Sequence, residues 1–266
     1  MTRILSYEQL LQQVNEVRRQ RFTTNFFLDK EKHSVWIASG DCLTEMVGNT
    51  LFIIRLGGDF CNVFYSSTTL EQLSVDLRLF LSMHADQTMM FDVVGRNNQC
   101  LPLVEDMKRL GGKETTSLVR MTRISEPLDY IADSRIRKAT EKDIPQVSHL
   151  LHAFFNAQTE QIPYDEELCS YARQEHVLLY EDHGQVAGFL IYEQNNTTLY
   201  LRYWFTRPEF RNSGVGSRLF RHFFEEGKVT KRQLLWVIRT NENAIKRYRH
   251  YGFHEENMFD YVLQFN

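Results

Sequence analysis

The segment Arg211-Asn212-Ser213-Gly214-Val215-Gly216 constrains this 266-residue chain more than any other. It follows an apolar run, Thr198 to Thr206, that ends at Arg207-Pro208, and it opens a helical run from about Gly214 to Glu226. Two glycines let backbone come close to a ligand, and the start of a helix presents N–H groups that lack intrahelical acceptors. Those donors, with the positive end of the helix dipole, favour a pyrophosphate. A Gly-x-Gly turn alone is equally at home in an ordinary strand-to-helix connection. The neighbouring elements therefore decide what the turn is for.

The length predicts two domains of roughly 130 residues. The C-terminal half begins near Ser134 with a short strand, Arg135 to Ala139, and a helix capped by Thr140 or Asp143 with Pro145 in its first turn. Ile144, Val147, Leu150, Leu151, Phe154 and Phe155 give that helix its periodicity. A helix at Asp165–Arg173 follows, then strands at Val177–Tyr180 and Val186–Tyr192 joined at His183-Gly184, and a turn at Asn195-Asn196 into the Thr198–Thr206 strand. After the glycine loop and its helix come a strand at Gln233–Ile238, a helix at Glu242–Tyr251, and extended segments at Phe253–Glu255 and Phe259–Phe265. An antiparallel meander thus feeds a parallel crossover, an α/β class with an α+β layout.

The N-terminal half predicts a helix at Tyr7–Arg19 and strands at Asn25–Leu28, Val35–Ala38, Leu51–Arg55 and Cys61–Tyr65. A helix at Leu70–Met83, a strand at Met89–Val94, a helix at Leu101–Leu110 and a strand at Thr115–Met121 complete it. This order resembles the later part of the other half, but Ser66-Ser67-Thr68-Thr69 stands where the glycine loop would be. Two readings stay open: a degenerate internal repeat without a pyrophosphate cradle, or an unrelated α/β domain. The segment Glu126 to Asp133 is the expected linker.

A net charge of −3 supplies no global field for nucleic acid or an anionic membrane. Cys42, Cys61, Cys100 and Cys169 are irregularly spaced and form no CxxC pair, so they read as reduced, buried residues of a cytoplasmic protein. The first residues lack the apolar core expected of a signal peptide, and no apolar run approaches membrane-spanning length, so no targeting or spanning segment is expected. His149 and His152 share a helix face without a third ligand, so no metal is expected. Lys246, Arg247, Arg249 and His250 point around a helix and read as a solvated face near a cofactor phosphate.

From about Ser134 to Asn266 the chain resembles the GNAT superfamily of N-acetyltransferases. The loop Arg211–Gly216 is similar to that family's pyrophosphate loop, R/Q-x-x-G-x-G/A, and Asn241 through Phe253 to its N-x-x-A-x-x-x-Y-x-x-x-G-F segment. The resemblance implies a mixed, centrally splayed sheet flanked by helices, with domains at 1–126 and 134–266. The first of these is expected not to bind CoA. It implies acetyl-CoA, or another acyl-CoA, as co-substrate. Arg211, Asn212, Ser213, Gly214, Val215 and Gly216 would hold the pyrophosphate, and the backbone of Phe205 and Thr206 would hold pantetheine and polarise the thioester carbonyl. Asn241 would bond the pantetheine arm, Ala244 would let it pass, and Tyr248 would protonate the leaving sulfur. A core tyrosine is the alternative for Tyr248.

No general base stands out: Glu160, Glu181, Asp182 and Glu193 all read equally as surface acids. The expected activity is transfer of an acyl group to a small-molecule, peptide or protein amine. The alternative is a non-catalytic acyl-CoA sensor. No nucleic-acid or membrane partner is expected, and the chain would act as a monomer with an internal pseudo-dimer or as a homodimer.

Overall fold

The computed structural model describes residues 1–19, 22–126 and 130–266, so Pro127–Asp129 of the expected linker lie outside the described residues. The chain divides into two compact units. The first comprises Met1–Leu118, Asn156–Gln161 and Asn257–Asn266, and the second Val119–Phe155 and Ile162–Glu256. Two short segments from the C-terminal half are thus counted with the first unit.

In the first unit, β1 (Thr2–Arg3) precedes α1 (Tyr7–Val17), whose Ser6 cap accepts from the Gln9 N–H and whose Leu10 and Val14 are buried. Next come β2 (Thr23–Thr24), α2 (Lys30–Ser39), β3 (Cys42–Val47), β4 (Thr50–Leu56) and β5 (Cys61–Ser67). Then follow α3 (Leu70–Met83), β6 (Met89–Gly95), α4 (Asn97–Arg109) and β7 (Lys113–Ile124), which ends in the second unit. The strands run β1-β3-β4-β5-β6, with β2 on β5. Residues Phe259–Phe265 of the last strand of the chain pair antiparallel with β6. β5 is buried along its whole length and β4 nearly so, as expected of central strands covered on both faces. Leu73, Leu77 and Phe80 of α3 close one side, with Phe80 stacked 4.1 Å from Phe52.

Two expectations fail here, and one strand of this unit is additional to those expected. Val35–Ala38 is helical, inside α2, although β-branched and aromatic residues favour strands. Asp29 caps that helix at the Lys32 N–H, Gly40 ends it with a left-handed φ of 83°, and Trp36 stacks on Phe64. Asn25–Leu28 is not a strand: the short β2 lies just before it. The strand β3 was not foreseen.

Asn25 has another task. β5 and β6 are parallel and pair at only three positions, Cys61↔Met89, Asn62↔Met90 and Val63↔Phe91. Continued, that register would send the Tyr65 N–H to the Asp92 carbonyl. Instead the Asn25 side chain stands between them. Its Oδ1 accepts from the Tyr65 N–H at 2.7 Å, and its Nδ2 donates to the Asp92 carbonyl at 2.7 Å. One carboxamide replaces one ladder bond.

In the second unit, β8 (Ile136–Lys138) leads to a capping box in which Thr140 and Asp143 bond reciprocally around the 3-10 turn Glu141–Asp143, while Asp143 holds the N-cap position of the next helix without a side-chain bond to it. α5 (Ile144–Phe154) follows with Pro145 in its first turn. After α6 (Ala157–Glu160) come α7 (Asp165–Arg173), β9 (Val177–Asp182), β10 (Gln185–Asn195), β11 (Thr198–Thr206) and α8 (Val215–Glu226). β12 (Arg232–Ile238), α9 (Glu242–His250) and β13 (His254–Phe265) finish the chain. Two extended segments were expected where β13 forms one strand, whose residues from Asn257 onward belong to the first unit. The strands run β12-β11-β10-β9-β8, and Thr122 and Arg123 at the end of β7 bond Gln233 of β12. Leu219, Phe220 and Phe223 of α8 are fully buried, each worth roughly 2 kcal/mol in transfer terms. In each unit an antiparallel meander, a helix and a parallel strand follow in the same order, with α3 and α8 as the crossovers.

Candidate active site

β11 alternates cleanly, with Leu199, Leu201, Tyr203 and Phe205 buried and the intervening residues partly exposed. It pairs with β10 along its length, but the register slips where Ile191 faces Tyr203 and Tyr192 faces Leu201, leaving Arg202 as an extra residue. On its other edge β11 pairs with β12 from Thr198↔Arg232 only as far as Leu201↔Leu235. Past that point the two strands part.

Backbone polar groups along a strand point alternately to its two edges. The Arg207 N–H donates to the Ala187 carbonyl at 2.9 Å, so Arg207 and Phe205 turn their polar groups toward β10. Those of Trp204 and Thr206 therefore face the open side. Phe205, whose carbonyl lies against Gly188, therefore does not present its polar groups to the open side, which Trp204 and Thr206 line instead.

The loop after β11 makes a single 3-10 turn, Pro208–Phe210, and then uses positive φ at Asn212 (65°) and Gly214 (84°) to enter α8. Gly214 is the helix N-cap, and no side chain caps the helix there. The N–H groups of Val215, Gly216 and Ser217 therefore have no acceptor within the helix. Gly216 keeps the helix start close to β11. A Cβ there would lie 3.1 Å from both Thr206 Oγ1 and Trp204 Cζ2. Not every N–H of the loop is free for a ligand, as had been expected. That of Arg211 donates to the Pro208 carbonyl at 3.2 Å and that of Ser213 to the Phe210 carbonyl at 3.4 Å. The Ser213 hydroxyl also bonds Phe210, so Ser213 shapes the loop from within.

A cavity of about 460 Å³ lies over this helix start. Thr206, Arg211, Asn212, Gly214, Val215 and Gly216 line it, as do Trp204, Phe210 and Ser217. Its opposite wall is α9, through Lys246, Arg247 and His250, and then Tyr251. No carboxylate is among the lining residues, whereas four side chains are basic. The basic run was legible in the sequence, but its direction was not. Ile245 and Tyr248 fix the buried side of α9, which turns Lys246, Arg247 and His250 to the cavity and leaves Arg249 to pair with Glu255.

Asn241, Ala244 and Tyr248 are not among the residues that line the cavity. Asn241 caps α9, its Oδ1 accepting from the Ala244 N–H at 3.1 Å, which leaves its amide nitrogen for any other partner. Ala244 is half-buried in the first turn. Tyr248 is buried among Trp204, Phe220 and Phe253, with ring centroids 5.8 to 6.1 Å away. Burial raises its phenol well above the usual value, so it keeps its proton. Of the expected acids, Glu193 accepts from Tyr171 Oη at 2.6 Å and pairs with Arg202, while Glu181 pairs with Arg137. Burial raises the Glu160 carboxyl. Among the described residues no group of three or more His, Cys, Asp or Glu is placed to hold a metal, and no helix is long and apolar enough to cross a membrane.

The splayed parallel pair, the left-handed glycine at the helix start and the basic cavity define a GNAT domain. Residues 144–253 match the model of the Acetyltransferase (GNAT) family, so the C-terminal half carries a domain of that family. No curated protein matches the chain in sequence. Solved structures share the fold at low identity. A GCN5-related N-acetyltransferase from Sphaerobacter thermophilus is 15% identical, with 81% of this chain and 76% of that one covered and a TM-score of 0.59. A GNAT-family acetyltransferase from Colwellia psychrerythraea is 12% identical over 100% and 99% of the two chains, with a TM-score of 0.56. A tandem GNAT protein from the clavulanic acid biosynthesis pathway is 12% identical over 97% and 94%, with a TM-score of 0.58.

Proposed function

We propose that the chain is an acyl-CoA-dependent N-acyltransferase, with acetyl-CoA the expected donor and a small-molecule or peptide amine the acceptor. The cavity at the start of α8 carries the reading. A helix start with unfilled N–H donors, four basic side chains and no acid suits a polyphosphate and little else. The open edge at Trp204 and Thr206 would take the amide-rich arm of the same molecule as an added strand. Bond formation between the amine nitrogen and the thioester carbon releases the CoA sulfur. Tyr248, kept protonated by burial, would supply that sulfur with a proton, and the proton lost by the acylated nitrogen would return the phenolate to a phenol.

The engagement of Glu193 by Tyr171 and Arg202 favours a second reading, a domain that binds acyl-CoA without turnover. Thiol release from acetyl-CoA across a panel of amines separates the two. Tight CoA binding with no release on any amine would leave only the sensor.

A further inference from the structure

We infer that Lys246, Arg247 and His250 form a separate recognition site for the 3′-phosphate of CoA, so that the protein discriminates CoA from 3′-dephospho-CoA. This rests on the acyl-CoA reading of the cavity and extends it to specificity. The loop side of the cavity already matches a pyrophosphate, through the N–H groups of Val215, Gly216 and Ser217 and the guanidinium of Arg211. The opposite wall holds three further cationic or hydrogen-donating side chains. A pyrophosphate diester carries two negative charges, and the loop side can neutralise these without α9.

Helical geometry explains why these three act together. At about 100° per residue, positions 246, 247 and 250 fall within an arc of roughly 100°. The acidic residues of this region do not line the cavity. Glu255 is engaged by Arg249, and Glu242 approaches Lys246 at 3.6 Å in a pair whose side chains are both more than two-thirds exposed. A pair so exposed is weak and yields readily to a better anion. Among the described residues, neither Arg247 nor His250 makes an ion pair with a carboxylate. A phosphate monoester, with its concentrated charge and three oxygens, matches an arginine fork flanked by a lysine and an imidazole.

The test measures the affinity of the full chain for CoA and for 3′-dephospho-CoA by titration calorimetry. Wild type should prefer CoA by about 10- to 100-fold, with the preference shrinking as salt is raised. Lys246→Ala/Arg247→Ala and Arg247→Ala/His250→Ala should bring the ratio toward one while changing dephospho-CoA affinity by less than about threefold. Arg249→Ala, which does not line the cavity, should leave the ratio unchanged, and circular dichroism checks that the variants fold. Equal affinity of wild type for both ligands would overturn the inference while leaving the acyl-CoA reading intact. So would variants that weaken both ligands alike. Binding of neither ligand would remove both.

Discussion

Replacing Gly214 by alanine tests whether the loop geometry is what binds. Gly214 holds a φ of 84°, a conformation that costs a residue with a Cβ about 1–2 kcal/mol. The new methyl carbon would lie 3.1 Å from Arg218 Nη1, the tip of a flexible side chain that can swing aside, so backbone strain dominates. The penalty has two places to show. If the surrounding fold holds the loop in place, stability falls by that amount. If the free loop relaxes out of the left-handed region, binding must restore the strained form, and CoA affinity falls by about 5- to 30-fold. Calorimetric titration with CoA and a urea midpoint on the same protein capture both, and their sum should reach the full penalty. Gly214→Asn should suffer less, since asparagine enters this region more readily. An alanine variant with wild-type affinity and wild-type midpoint would refute the argument, as would an asparagine variant no better than alanine.

Asn25→Ala leaves the Tyr65 N–H and the Asp92 carbonyl without their relay. It should cost the first unit roughly 2–4 kcal/mol in urea denaturation followed by Trp36 fluorescence in a Trp204→Phe/Trp236→Phe background. Tyr248→Phe keeps the packing but removes the proton donor. Thiol-release kinetics should show kcat down by about 10²-fold with KM for acetyl-CoA nearly unchanged, whereas an unchanged kcat would make Tyr248 a core residue only. Burial raises the Asp92 carboxyl, against an opposing hydrogen bond from Gln161 and the charge of Lys32, and Asp260 on the adjoining strand is raised likewise. The native state thus keeps a proton that the unfolded chain has released, so stability falls as pH rises from about 4 through the raised native value. Asp92→Asn should therefore raise the urea midpoint at pH 8, with the gain closing as pH approaches 4. A gain of equal size at both pH values would contradict this.

Much of the second unit could be read from the sequence because its signals are local. The apolar run Thr198–Thr206, the glycine turn that opens α8 and the helix that follows Asn241 each need only a few neighbouring residues. What escaped depends on long-range packing. Val35–Ala38 reads as a strand until Trp36 finds Phe64 across the unit. β3 buries Cys42 and Thr44 with Val47 as its one buried aliphatic side chain and leaves Met46 exposed, so no run of alternating apolar residues marks it. Phe205 and Thr206 are neighbours in one strand, so their backbone groups point to opposite edges, and only the pairing with β10 shows which of the two faces out. The direction of Lys246, Arg247 and His250 followed only once Ile245 and Tyr248 had fixed the buried side of the helix.

The carboxamide of Asn25 acts as a tethered ligand. Because it is part of the chain, its local concentration is set by covalent connection, and the gap between β5 and β6 stays filled whatever the surroundings contain. The gap between β11 and β12 depends, on the acyl-CoA reading, on a diffusing molecule, and the stability it gains varies with supply. That gain is about 2.7 kcal/mol when the free ligand stands at 100 times its Kd, and nothing when it is absent. One chain would thus hold two versions of the same cleft, one indifferent to metabolic state and one whose persistence against unfolding and proteolysis rises and falls with the acyl-CoA pool.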